Sequence, residues 1–419
     1  MSETLTSTAR RRGRIPGRLW AFATVAGMAS FLDAAGLIGI TTSLAIWQVE
    51  YDLSVWQVGI VGFAAQMCLA IGALVGGWIA DRFGRQLVFN VDLALLAIGL
   101  LVVLLATDST MLLAGIALFG LACGADIPVS LAVISDRAPE SARGRLVGFT
   151  QLMWQFGIVF ATAAGFAVSA MGLSGTKIII GSIAVLAIAT FIARLLMRGN
   201  LPPVVTSAPV AGDNATVVRG SALREVFRPS VLRVLVLVTV FYTFWNLVAG
   251  MLSGYTTYYL VTAADASQTL ATGLSLAFIP IATVLAFVFL RIADTRWREP
   301  VFVVAGAVEV IALAIGAISG GTALLSLIIM FVLYNVTNSA AGEGIYKVWG
   351  QLLFPAQARA VAQGITFAVA RVVFALFLLV APALIAWSPA GFLWILTAFM
   401  AVAYVAGLGI SRIARTHHQ

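Results

Sequence analysis

Apolar runs of about 20 residues recur along the chain from Leu19 to Ile410, separated by short polar stretches that hold most of the charge. A run of that length crosses a hydrocarbon core of about 30 Å as an α-helix, at about 1.5 Å per residue. Twelve spans are expected, at 19–44, 55–80, 87–107, 110–135, 144–170, 176–197, 231–261, 268–292, 301–319, 322–351, 358–386 and 389–411. Their length fits helices and not the short strands of a barrel.

The pattern breaks once. Residues 199–230 turn polar, with Pro202, Pro203, Pro209, Gly212 and Asp213 in place of the apolar run, and read as a linker. The expected organisation is a basic segment 1–18, a six-helix bundle 19–198, the linker 199–230, a second six-helix bundle 231–411 and a tail 412–419. The fold class is therefore an all-α membrane protein.

Composition agrees with lipid as the solvent: the chain is 61% hydrophobic and 10% charged, with a mean hydropathy of +1.03. Of 25 Lys and Arg, all but Lys177, Lys347 and Arg371 fall at the amino terminus, in alternate loops or in the tail. The connection after the sixth span contributes Arg194, Arg198, Arg219, Arg224, Arg228 and Arg233. Basic residues are retained on the cytoplasmic side, so an even number of helices with both termini cytoplasmic is expected. The net charge of +8 is then topology, and its dispersal among short loops excludes a nucleic-acid surface. Arg10, Arg11, Arg12, Arg14 and Arg18 lead into a first span too long for a cleavable signal. The excess of Arg over Lys points to a GC-rich bacterial genome, and the expected location of such a multi-pass chain is the inner membrane.

Catalytic chemistry finds few residues to use. Cys68 and Cys123 lie in spans without a spacing partner, and His417 and His418 are in the tail. No metal cluster, no Ser-His-Asp set and no phosphate loop is present, the segment from Gly172 to Lys177 having the wrong spacing. An enzyme, a cofactor and direct coupling to a nucleotide are not expected.

An internal repeat relates the halves. After the second span runs Gly77-Trp78-Ile79-Ala80-Asp81-Arg82-Phe83-Gly84-Arg85; after the eighth, Arg291-Ile292-Ala293-Asp294-Thr295-Arg296-Trp297-Arg298. Asp81 and Asp294 are 213 positions apart. After the fourth and tenth spans, Pro139 and Pro355 each precede an arginine by four residues, and those arginines, Arg143 and Arg359, are 216 apart. Repeats at nearly one offset are how transporters place a site between two halves.

At these residues the chain resembles the major facilitator superfamily, whose second loop carries G-x-L-a-D-R-x-G-R. Asp136-Arg137-Ala138-Pro139, Arg143-Gly144-Arg145, Gln151 and Gly157 are similar to its sugar-porter branch, with Asp136 standing where that branch has Glu. Gly124-Ala125-Asp126-Ile127-Pro128, Tyr346-Lys347-Val348-Trp349 and Ala362-Gln363-Gly364 resemble its bacterial inositol-type members. The resemblance implies alternating access between two pseudo-symmetric bundles and a hydroxyl-binding role for Gln151. It fails at the helix-four arginine of proton-coupled sugar porters: Asp33 supplies that arginine's usual partner, but Ile116 occupies its place.

Polar residues inside the spans mark candidate site positions, because a charge at mid-membrane costs roughly 2.5 kcal/mol or more. Asp126 lies 13 residues before Pro139 and Glu343 lies 12 before Pro355, both about 18 to 19 Å deep. They are pseudo-symmetry mates, as are Asp33 with Asn246 and Gln155 with Arg371. Asp33, Asp126 and Glu343 are the proton-coupling candidates. Gln151, Gln155, Asn246, Tyr346, Lys347, Trp349 and Arg371 are the solute-binding candidates, joined by Trp154 and Trp245 as aromatic surfaces. Glu343 and Lys347, four apart, can equally be a structural ion pair. Asn246 and Gln155 can equally be interhelical hydrogen-bond glue, the aromatics can be core, and Glu309 reads as structural.

A cytoplasmic latch is expected from Gly77, Asp81, Arg82, Gly84, Arg85, Asp136, Arg143 and Arg145, with Asp294, Arg296, Arg298 and Arg359 in the second half. The leading expectation is a monomeric, proton-driven transporter of a polyol or sugar, its partners being a small polar solute, protons and the bilayer. An organic-anion or phosphate carrier using Lys347 and Arg371 is the second reading, and a membrane sensor or scaffold the third.

Overall fold

The structure is a computed structural model describing residues 16–197, 225–293, 295–355 and 358–416. Its first bundle consists of Gly17–Glu50, Val55–Phe83, Arg85–Leu104, Ser109–Arg137, Glu140–Ala167 and Gly172–Met197. The second consists of Pro229–Gly254 with Thr256–Ala263, Gln268–Ile292, Arg298–Ile318, Leu324–Ala341 with Glu343–Leu352, Arg359–Trp387 and Pro389–Thr416. Among the described residues eleven of these crossings are long and apolar enough to span a membrane, and Glu140–Ala167 completes the expected twelve. Local sequence sets their starts: Ser54 and Gln57 form a reciprocal capping box, Asp108 accepts from the backbone of Thr110 and Met111, and Ser267 caps Leu270.

Two spans expected to be continuous are broken. The seventh stops at Gly254 and resumes at Thr256, and the tenth is interrupted at Gly342. Gly342 adopts φ −118° and ψ −131°. A Cβ there would fall 2.5 Å from both the Asn338 carbonyl oxygen and the Trp245 ring, so the break needs glycine.

Small residues bring the second and fourth spans into backbone contact. A Cβ on Gly124 would lie 1.9 Å from the Leu69 carbonyl oxygen, and one on Gly72 would lie 2.1 Å from that of Leu121. Such seams substitute close van der Waals packing for the hydrophobic drive that lipid removes. The repeat persists in side-chain contacts: Gln86 accepts from Arg137 Nη2 at 3.0 Å, and Glu299, 213 positions later, accepts from Trp349 Nε1 at 3.1 Å. In each half the start of an odd-numbered span is thereby tied to the span that follows it.

Across the bundles, Gln268 Nε2 donates to the Thr42 carbonyl at 2.9 Å and Tyr258 Oη to Gln48 Oε1 at 2.9 Å. The Ser169 and Thr269 hydroxyls meet at 2.8 Å. Tyr255 packs on Gly62, and the backbone of Leu379 packs on Gly59. With the termini cytoplasmic, these contacts close the periplasmic end.

Candidate functional site

The middle of the first bundle holds a buried charge cluster. Arg194, in the last turn of the sixth span, places Nη1 3.2 Å from Asp92 Oδ1 and Nη2 3.1 Å from Asp126 Oδ1. The same guanidinium donates to the Phe89 carbonyl, and its carbon stands 3.6 Å from the centroid of the Phe89 ring. Ser130 Oγ donates to Asp126 Oδ1 at 2.8 Å. Asp33 lies within electrostatic reach of Asp126 and Arg194, with the Cys123 thiol beside it, yet neither of its oxygens has a hydrogen-bond partner of ordinary geometry. One oxygen each of Asp92 and Asp126 is likewise unpartnered. All four charged side chains of the cluster are at most 2% exposed.

This arrangement corrects two expectations. Arg194 is not a loop cation, since it turns inward. The cation beside Asp126 is Arg194, where the charges inside the spans offer Lys347 and Arg371 as the other possible partners. Nothing in the local sequence announces it, because an arginine in the last turn of a span ordinarily reaches outward to water along its aliphatic stem. Asp92 could have been found as a lone carboxyl in the apolar stretch from Val88 to Leu96, the same signal that identified Asp33.

In the second bundle Glu343 and Lys347 pair locally. Lys347 Nζ lies 2.9 Å from Glu343 Oε1, one turn apart on the short helix that begins after Gly342. Their side chains are 58% and 46% exposed. A charged pair in the middle of a span faces water and not lipid, so this side of the tenth span borders an aqueous space. The opposite side is packed core. Trp349 is fully buried against Phe241 and Phe302, and Tyr346 stacks on Tyr242 at 4.1 Å with Phe367 edge-on. Trp245 Nε1 donates to Asn338 Oδ1 at 3.1 Å. Tyr346, Trp349 and Trp245 therefore belong to the interior of the bundle, and no open stacking face is formed by them.

Gln151 and Gln155 are exposed on the fifth span. Three turns beyond Gln155 on the same helix face, Phe166 packs on Gly273 of the eighth span. Helix spacing places the two glutamines on the face of the fifth span that meets the second bundle at Phe166. Asn246 is half-buried in the seventh span. Arg371 is half-buried in the eleventh and reaches Gln66 of the second span at 3.4 Å, a long contact bridging the bundles.

Six of the twelve expected latch residues have described side chains. Arg82 lies over the Trp78 and Phe83 rings, and Arg296 over Trp297. Gly84 takes φ +99° between the second and third spans, a left-handed value that glycine meets without strain. Arg298 is buried and bonded through Nε to Glu299 Oε1 at 2.9 Å, which makes it part of the bundle interior. Arg359 Nη2 donates to the Phe354 carbonyl at 3.4 Å, and Arg145 is exposed. Gly77, Asp81, Arg85, Asp136 and Arg143 are described only as members of their helices, and Asp294, His417 and His418 lie outside the described residues. Glu309, in the ninth span, is fully buried with both oxygens unpartnered.

Residues 24–378 match the Major Facilitator Superfamily. The chain belongs to that family. It is 29% identical over 367 residues to the minor myo-inositol transporter IolF of Bacillus subtilis (strain 168), covering 86% of this chain and 83% of that protein. Its fold matches the crystal structure of a D-xylose–proton symporter with a TM-score of 0.73 at 17% identity, over 93% of this chain and 97% of the other. A bacterial homologue of the human lysosomal transporter Spinster, inward-facing and unoccupied, also gives 0.73, at 16% identity over 97% and 99%. This member of the superfamily is a multi-pass transporter of the bacterial inner membrane and not an enzyme.

Proposed function

We propose that this transporter carries a neutral polyhydroxylated solute of the inositol or sugar type, by alternating access coupled to protons. The observation that carries the solute class is the ion pair of Glu343 with Lys347, which cancels the formal charge on the aqueous face of the tenth span. Amides then dominate the gap: Gln151 and Gln155 from the first half, with Asn246 near it in the second. An amide both donates and accepts, as hydroxyl recognition requires. The similarity to IolF, named a myo-inositol transporter, supports the same class.

Coupling rests on charge balance. Asp33, Asp92 and Asp126 face one guanidinium, so full ionisation would leave two uncompensated negative charges in the low-dielectric bundle. Binding a proton at Asp33, and exchanging it when the cluster meets the other side of the membrane, relieves that excess. Arg194 thus takes the compensating role that Ile116 cannot. Arg82, Gly84, Arg296 and the motif residues around them serve the cytoplasmic gate in this scheme.

The deciding experiment is counterflow of labelled myo-inositol in proteoliposomes, with unlabelled polyols, hexoses and nicotinate as competitors. Competition by polyols or hexoses supports the reading. Competition by nicotinate alone favours an organic anion, for which Arg371, with its one long contact to Gln66, is the available cation.

A further inference from the structure

The outer face of the C-terminal bundle carries a groove of about 670 Å³ between the start of the seventh span and the end of the twelfth. Leu232, Val236 and Leu237 form its apolar wall on one side, and Gly409 leaves room on the other. Arg233 and Arg412 line it as well, both exposed. Arg233 is four residues inside the helix start at Pro229, and Arg412 is four residues before the helix end at Thr416. Both sit about 6 Å from their cytoplasmic helix ends, at headgroup depth.

Neither guanidinium has an ion pair or hydrogen bond among the described residues. Glu225, the acidic side chain nearest in sequence, is bonded to Arg228 at 2.9 Å. Among the described residues no acidic side chain lines the groove. Two arginines without counterions at the mouth of an apolar channel are complementary to a phosphate that continues into hydrocarbon.

We propose that this groove binds an anionic glycerophospholipid of the cytoplasmic leaflet. Its phosphate lies between Arg233 and Arg412, and an acyl chain runs along Leu232, Val236 and Leu237. The site is independent of the solute path.

The test is titration of the purified full-length protein in detergent with phosphatidylglycerol, read by native mass spectrometry. Wild type is expected to retain the lipid in preference to phosphatidylcholine. The double variant Arg233→Gln, Arg412→Gln should weaken retention about thirty-fold. Arg18→Gln, removing an exposed arginine at the start of the first span, should leave it unchanged. Should the double variant fail to fold, Gly409→Leu fills the groove without altering charge and is expected to expel the same lipid. Equal retention of phosphatidylcholine, undiminished binding in the groove variants, or an equal loss in Arg18→Gln overturns the proposal. Displacement of the lipid by equimolar inorganic phosphate also overturns it, since the acyl wall would then contribute nothing.

Discussion

Arg194 Nη2 lies 3.1 Å from Asp126 Oδ1, joining the last turn of the sixth span to the middle of the fourth. Removing the arginine would leave Asp92 and Asp126 buried without their cation, a loss worth about 3 to 5 kcal/mol in a buried pair. Arg194→Met is therefore expected to lower the thermal unfolding midpoint of the purified transporter, and adding Asp92→Asn should restore part of it. Unfolding at the wild-type temperature would show that the contact contributes nothing to stability.

Asp33 tests the proton proposal, because it is the cluster carboxyl with neither oxygen bonded. Asp33→Asn is expected to abolish uphill accumulation in proteoliposomes while sparing counterflow, which needs alternating access but no net proton movement. Wild-type uptake indifferent to an imposed pH gradient would sink the coupling scheme.

Gln155 and Trp349 should separate binding from packing. Gln155→Ala is expected to weaken a neutral polyol by about 1 to 3 kcal/mol through the lost hydrogen bond. Trp349→Phe leaves Glu299 with one partner fewer in the interior, so it should lower stability at unchanged solute affinity. Isothermal titration beside thermal unfolding distinguishes the two, and a weakened polyol in Trp349→Phe with normal stability would contradict the assignment.

Tyr258 holds the periplasmic closure through Gln48. Its hydrogen bond contributes about 0.5 to 1.5 kcal/mol, so Tyr258→Phe should shift the equilibrium toward outward-open by about twofold to tenfold. Spin labels at Val49 and Thr262, exposed residues of opposite bundles at that end, would report longer distances in the variant. An unaltered distance distribution would remove this contact from the gate.

The glycine seam predicts a contrast. Gly124→Ala places its Cβ against the Leu69 carbonyl oxygen and should impair folding, whereas Gly364→Ala meets nothing within 4 Å and should be silent. Size-exclusion profiles of the two variants settle it, and a monodisperse, stable Gly124→Ala protein would refute the tight seam.

Twelve spans and a two-bundle fold were legible in the chain because insertion demands a long apolar run for each crossing and the internal repeat relates the halves. Gln151 could be anticipated only through an aligned motif, and Gln155 only through its pseudo-symmetry with Arg371. Arg194 and Asp92 could not be paired in advance, since they sit in different spans and meet only through tertiary packing. Conversely, the sequence leaves Tyr346 and Trp349 open to two readings, a stacking surface or core, while Lys347 and Glu343 beside them are about half-exposed. The helix turn that exposes the charges buries the rings, and one-dimensional spacing does not say which face is wet. The breaks at Tyr255 and Gly342 were invisible for a related reason: glycine is common in membrane helices, and its role at 342 depends on a ring from the seventh span.

The periplasmic closure has an electrical consequence. Tyr258 with Gln48, Gln268 with Thr42 and Ser169 with Thr269 are all uncharged pairs. Parting them moves no formal charge through the transmembrane field and breaks no bond that dissolved ions could screen. Opening toward the periplasm is thus voltage-silent and insensitive to external ionic strength at these contacts. Under the proposed coupling, dependence of transport on membrane potential arises deeper in the protein, where the Asp33 cluster, Arg371 and the Glu343–Lys347 pair carry the charge.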